Sequence, residues 1–137
     1  MKRARVLVVE DDALIMLGLC DVLELACLEI VGVASNVPDA LALAENTHPD
    51  LAIFDVHLNG RLDGIDGARL LRERHGTAVV FLTADVQREI RKRISDLEPV
   101  ACITKPAHPK QLIAAIQSTL ERQYLGRETA FPPKETH

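Results

Sequence analysis

The sequence has no tryptophan, one tyrosine and three phenylalanines, so aromatics make up only 3% of its 137 residues. Apolar residues still reach 47%, and the core is therefore expected to be filled by Val, Ile, Leu and Ala. An excess of positive charge is missing too, since the net charge is −4. A general nucleic-acid binder needs clustered cations to offset phosphates, which sets that class aside. No apolar run approaches the ~20 residues that span a bilayer. Met1, Lys2 and Arg3 lead directly into an apolar run, so no signal peptide is expected. Cysteine is scarce. Cys20, Cys27 and Cys102 form neither a disulfide framework nor a metal-ligand spacing, and are expected to be reduced, buried thiols of a cytoplasmic protein. There is no internal repeat and no linker to a second domain. The length suits one domain with a sizeable core.

What is present is an alternation. Arg5 to Val9 (RVLVV) is a short apolar, β-branched run, read as a strand buried on both faces. Glu10, Asp11 and Asp12 follow, then an apolar stretch from Ala13 to Cys27 that is too long for a strand, with Asp12 placed as its N-cap. Ile30 to Ala34 predicts a second strand, and Pro38 opens a helix over Asp39 to Glu45. Leu51 to Phe54 is a third strand that ends on Asp55. Turn signals at Asn59-Gly60 and Asp63-Gly64 precede a helix over Ile65 to Arg74. Ala78 to Leu82 is a strand ending on Thr83, and Gln87 to Ser95 a helix. Val100 to Thr104 is a strand ending on Lys105-Pro106, and Pro109 opens a helix to about Tyr124. Residues 1–124 form the domain. Residues 125–137, with two adjacent prolines and no periodicity, are expected to be a flexible tail.

Five buried strands joined by helical crossovers imply a parallel sheet covered on both faces. Such a doubly wound sheet binds ligands at the carboxyl ends of its strands, where the strand order reverses. The polar residues fall there. Glu10 and Asp11 follow the first strand, and Asp55, Thr83 and Lys105 close the third, fourth and fifth. Crowded carboxylates repel one another unless a cation lies between them, and an all-oxygen set suits Mg²⁺. A lysine opposite can neutralise a phosphoryl oxygen, a threonine hydroxyl can donate to another, and a carboxylate can act as nucleophile. Taken singly, each residue has a plainer explanation. An acidic run after a strand is often just a helix cap, a Lys-Pro a turn, and a Thr at a strand end a local hydrogen-bonding group. Their joint order, each closing a different strand, favours the site.

The pieces VLVVEDD, LAIFDVHL, VVFLTA and ITKP, in that order, resemble those of stand-alone, chemotaxis-type response-regulator receiver domains over about Lys2 to Tyr124. The resemblance implies a flavodoxin-like (βα)₅ fold with a five-stranded parallel sheet of order 2-1-3-4-5. It implies that Asp55 is phosphorylated from a phosphohistidine in a Mg²⁺-dependent reaction, with Thr83 and Lys105 contacting the phosphoryl group. The metal ligands would be Asp11, Asp55 and the backbone carbonyl of His57, with Glu10 acting largely through water. The implied partners are a sensor histidine kinase or histidine phosphotransfer protein and a downstream protein target, with a homodimer left open. Nucleic acid and membrane are not among them. A Lys105-Pro106 cis bond is expected, since Lys105 must turn back toward the site.

Three features depart from the family pattern: position 102, position 107 and the loop after Asp55. Cys102 stands where receivers usually carry a switching aromatic. Ala107 follows the Lys-Pro pair in place of an aromatic. Asn59 replaces a proline, and Gly64 lies nine residues past Asp55 instead of eight. The output route is thus expected to avoid an aromatic rotation and to use helix four, with an apolar stripe of Val86, Ile90 and Ile94 and a basic face of Arg88, Arg91 and Lys92. By the same resemblance, His57 and Asp85 would flank the path of an attacking water and tune the lifetime of the phosphoryl group. On helix one, Ile15, Leu19, Val22 and Ala26 form the core stripe, which leaves Leu14, Met16, Leu17 and Cys20 as an apolar patch suited to kinase docking. A haloacid-dehalogenase-type phosphatase would need a second Asp where His57 stands. A dinucleotide fold would need glycines where Glu10, Asp11 and Asp12 stand. The remaining rival is a receiver-like interaction module that works without phosphorylation.

Overall fold

A computed structural model describes residues 3–58, 63–84, 88–97 and 100–130, with the backbone alone at 88–90, 100 and 125–130. Strands and helices alternate strictly: β1 (Arg5–Val9), α1 (Ala13–Leu25), β2 (Glu29–Ala34), α2 (Val37–Thr47), β3 (Leu51–Asp55), α3 (Gly64–His75), β4 (Ala78–Thr83), α4 (Arg88–Ser95), β5 (Val100–Thr104) and α5 (Pro109–Ala130). All four strand pairings are parallel, and the order is β2-β1-β3-β4-β5. This is the doubly wound, flavodoxin-like sheet of order 2-1-3-4-5 that the sequence implies.

Alternation of side chains along each strand splits the core into two layers. Leu7, Val9, Phe54, Val79 and Phe81 face α2, α3 and α4, where Val37, Ile65, Leu71, Ile94 and Leu97 meet them. Val6, Val8, Ile53, Val80 and Leu82 face α1 and α5, where Leu19, Leu23, Leu112 and Ile116 cover them. Each fully buried side chain of this size contributes about 1.5–3 kcal/mol by leaving water. The helix starts follow their caps. Asp12 accepts from the amides of Leu14 and Ile15, Asn36 from Asp39, and Asp63 from Asp66. Asn36 starts α2 two residues before the expected Asp39.

Several expectations are corrected. Cys27 and Cys102 are exposed and Cys20 is half-buried, so the thiols are not core residues. Cys27 lies past the end of α1 with φ 62°. Along β5, Ile103 enters the core and alternation turns Cys102 to the opposite face. On α1 the buried centre is Leu19 and Leu23, and Met16 packs against the core, so the exposed apolar set is Leu14, Leu17 and Leu25. Helix α5 runs to Ala130, beyond the expected end near Tyr124. No proline interrupts it before Pro132, and Gly126 costs only ~1 kcal/mol in a helix. The rest of the expected tail, 131–137, lies outside the described residues, as do Asn59, Gly60, Asp85, Val86 and Gln87. No helix among the described residues is long and apolar enough to cross a membrane.

Candidate phosphoacceptor and metal site

The site is assembled at the carboxyl edge of the sheet, mostly by backbone bonds. The Glu10 amide donates to Ala34 O (2.9 Å), extending the β1–β2 ladder by one residue. Its carboxylate is turned inward and accepts from the Asp12 amide at 3.1 Å. Asp55 closes β3 in register with Leu82, and the next amide, Val56, donates to Leu82 O (3.0 Å). Thr83 closes β4, and its carbonyl accepts from the Lys105 amide at 2.8 Å. The Lys105-Pro106 bond is cis, as expected.

The side chains then converge. Lys105 Nζ lies 2.9 Å from Glu10 Oε1 and 3.2 Å from Asp55 Oδ2. One oxygen each of Glu10, Asp11 and Asp55 fall within 4.8 Å of one another. Glu10, Asp55 and Thr83 are buried, at 2%, 5% and 0% exposure, whereas Asp11 and His57 are exposed. The His57 amide donates to Asp55 Oδ1 at 3.1 Å. Burial alone would lower the Lys105 ammonium, but the adjoining Glu10 and Asp55 carboxylates outweigh it and raise it above 10.5. Its ion pairing is therefore complete at neutral pH and is lost only as pH rises through that raised value.

Three carboxylates facing one lysine leave an excess of negative charge. Glu10 Oε1 is buried, and beyond the ion pair to Lys105 it has no hydrogen-bond partner. Such an oxygen-rich, under-neutralised cluster, with one open carboxylate at Asp11, fits a hard divalent cation. The sequence-predicted residues Glu10, Asp11, Asp55 and Lys105 thus meet in one place, with Thr83 on the same edge. His57 reaches the group through its amide.

Two neighbours complete the surroundings of the site. A Cβ on Gly64 would lie 1.9 Å from the Asp55 carbonyl oxygen, so the start of α3 rests directly on the Asp55 backbone. Arg93 of α4 grips Asp63, the residue before that glycine, at 2.9 and 3.2 Å. The Asp63-Gly64 pair was legible as a turn signal and as the displaced glycine after Asp55, and nothing in the sequence links position 93 to it.

Comparison with known proteins finds one family. The sequence matches a family described as "Response regulator receiver domain" over residues 6–117. It is 40% identical over 118 residues to "Transcriptional regulatory protein PdtaR" of Mycobacterium tuberculosis, covering 86% of this chain and 57% of that one. The chain thus spans little more than half the length of this curated relative. A signal receiver domain of a modulated diguanylate cyclase from Desulfovibrio desulfuricans G20 superposes with TM-score 0.86 at 28% identity, covering 91% of this chain and 99% of that one. A CheY-like receiver domain protein from Methanospirillum hungatei JF-1 superposes with TM-score 0.80 at 26% identity, with the same coverage.

Proposed function

The chain belongs to the response regulator receiver domain family, and from that premise we propose that Asp55 is its phosphoacceptor. It is a receiver domain of the two-component response regulators, a signalling domain. The observation that carries the residue assignment is the position of Asp55, a buried carboxylate held 3.2 Å from Lys105 Nζ beside Glu10 and Asp11. The donor is a phosphohistidine on a sensor histidine kinase or histidine phosphotransfer protein. An Asp55 oxygen attacks phosphorus, and the P–N bond breaks as the P–O bond forms. The departing imidazole nitrogen takes a proton from solvent. Lys105 neutralises a phosphoryl oxygen and Thr83 donates to another. Asp11, Asp55 and the His57 carbonyl would hold Mg²⁺, with Glu10 acting through water; bound there, the ion supplies positive charge to the transferring oxygens. His57 and Asp85 set the lifetime of the phosphoryl group. The protein acts in the cytoplasm by contact with a downstream protein target.

The test is incubation with acetyl phosphate and Mg²⁺, followed by intact mass. Wild type gains one phosphoryl mass and Asp55→Asn does not. Equal modification of both would overturn the assignment.

A further inference from the structure

Arg93, on α4, holds the capped start of α3 beside the phosphoacceptor strand. Its guanidinium donates from Nη1 to Asp63 Oδ2 (2.9 Å), and from Nη2 to Asp63 Oδ1 (3.2 Å) and Asp66 Oδ1 (3.1 Å). A planar fork on two carboxylates fixes orientation as well as distance, which a lysine would not do. The same Asp63 caps α3, accepting from the Asp66 amide at 2.9 Å. Gly64 follows it, with its amide on Val56 O at 3.0 Å and no room for a Cβ above the Asp55 carbonyl. A line of direct contacts therefore runs from the Asp55 backbone through Gly64 and Asp63 to Arg93. On α4, Arg93 is flanked by Ile94, which with Leu97 anchors the segment in the core. The bland alternative is a half-exposed ion pair worth under ~1 kcal/mol. Small stabilisation and firm geometry are compatible, however, and geometry is what a signal needs. The customary second route, through a bulky side chain at position 102, has only an exposed Cys102.

Resting on the reading of Asp55 as phosphoacceptor, we propose that Arg93 is a positioning residue that acts through Asp63 to transmit the state of Asp55 to α4. Burial would raise the Asp63 carboxyl, yet the Arg93 bonds and the capped amide outweigh it and hold it low, so the clamp is charged at neutral pH. The experiment adds Mg²⁺ and beryllium fluoride, a phosphoryl mimic, to the full chain and follows amide exchange in α4 and the amide signals of Asp55 and His57. In wild type both regions respond. In Arg93→Gln the Asp55 and His57 signals still respond and the α4 response is lost. Arg93→Lys restores it in part, and Asp66→Asn, which leaves the cap intact, weakens it. An α4 response that persists in Arg93→Gln overturns the clamp alone. Absence of any response at Asp55 in wild type overturns the phosphoacceptor reading and the clamp with it.

Discussion

At the scale of single residues, opposing terms decide the behaviour. Asp11 is an exposed carboxylate beside two buried ones, so it binds a cation and repels its neighbours at once. Asp11→Ala is expected to lose Mg²⁺ affinity by more than the ~10-fold that loss of a mere supporting residue costs, while its melting temperature without metal holds or rises. A Mg²⁺ titration and a thermal melt in chelator read the two effects separately, and unchanged affinity would remove Asp11 from the ligand set. Gly64 is a steric case. Gly64→Ala sets a carbon against the Asp55 carbonyl oxygen, which must displace backbone and should cost about 3 kcal/mol, the upper end for overpacking. Denaturant unfolding checks it, and a cost near zero would mean that the start of α3 is free to move. The acids, the threonine and the lysine were legible in the sequence because each closes a strand. Gly64 was visible as half of a turn signal and as a displaced glycine, but not its contact, since its partner is a backbone atom nine positions away.

At the scale of elements, helix faces matter. On α1, Leu14 and Leu17 are 81% and 62% exposed, and the helix starts just past Glu10 and Asp11. Leu17→Glu should leave modification by acetyl phosphate unchanged and slow phosphotransfer from a kinase by ~10-fold, the loss of one interface hot spot. Equal loss of both activities would make Leu17 structural. The α3–α4 clamp gives a pH signature. Asp63 and Asp66 face Arg93, and Arg69 lies 4.0 Å from Asp66. Asp63 is held below 3.8 in the fold, so its contribution is complete above that ordinary value and is lost as pH falls through the depressed one. Arg93→Gln should therefore be less stable than wild type at pH 7, by under ~1 kcal/mol for a half-exposed pair, and the gap should begin to close only below about pH 4. A gap that persists in acid would rule out the charge as its source. Patterning located α4 but passed over Arg93, because Arg88, Arg91 and Lys92 look the same in sequence. What distinguishes Arg93 is two aspartates at the start of another helix, one its cap.

At the scale of the whole molecule, the fold was readable because two periods agree with each other. Unbroken apolar strands demand cover on both faces, and the helices between them supply it. The strand bounds followed closely, since β-branched runs end abruptly on polar residues. The helix ends did not: α5 continues past Tyr124 to Ala130 because nothing in its composition stops it, and the exposure of Cys27 and Cys102 depends on which side of an element faces out. The scarcity of aromatics has one more consequence. Both core phenylalanines, Phe54 and Phe81, lie in the layer under α2, α3 and α4, and neither lies under α1 and α5. Among the described residues, ring-current shielding from buried phenylalanines is thus confined to one side of the sheet. In a methyl NMR spectrum Val37, whose methyls crowd the same glycine as the Phe54 ring, should be displaced from its ordinary shift, while Leu19, Leu23 and Ile116 stay near theirs. The spectrum then sorts the methyls by layer before any is assigned, and a ligand or partner that perturbs one face announces which face it is.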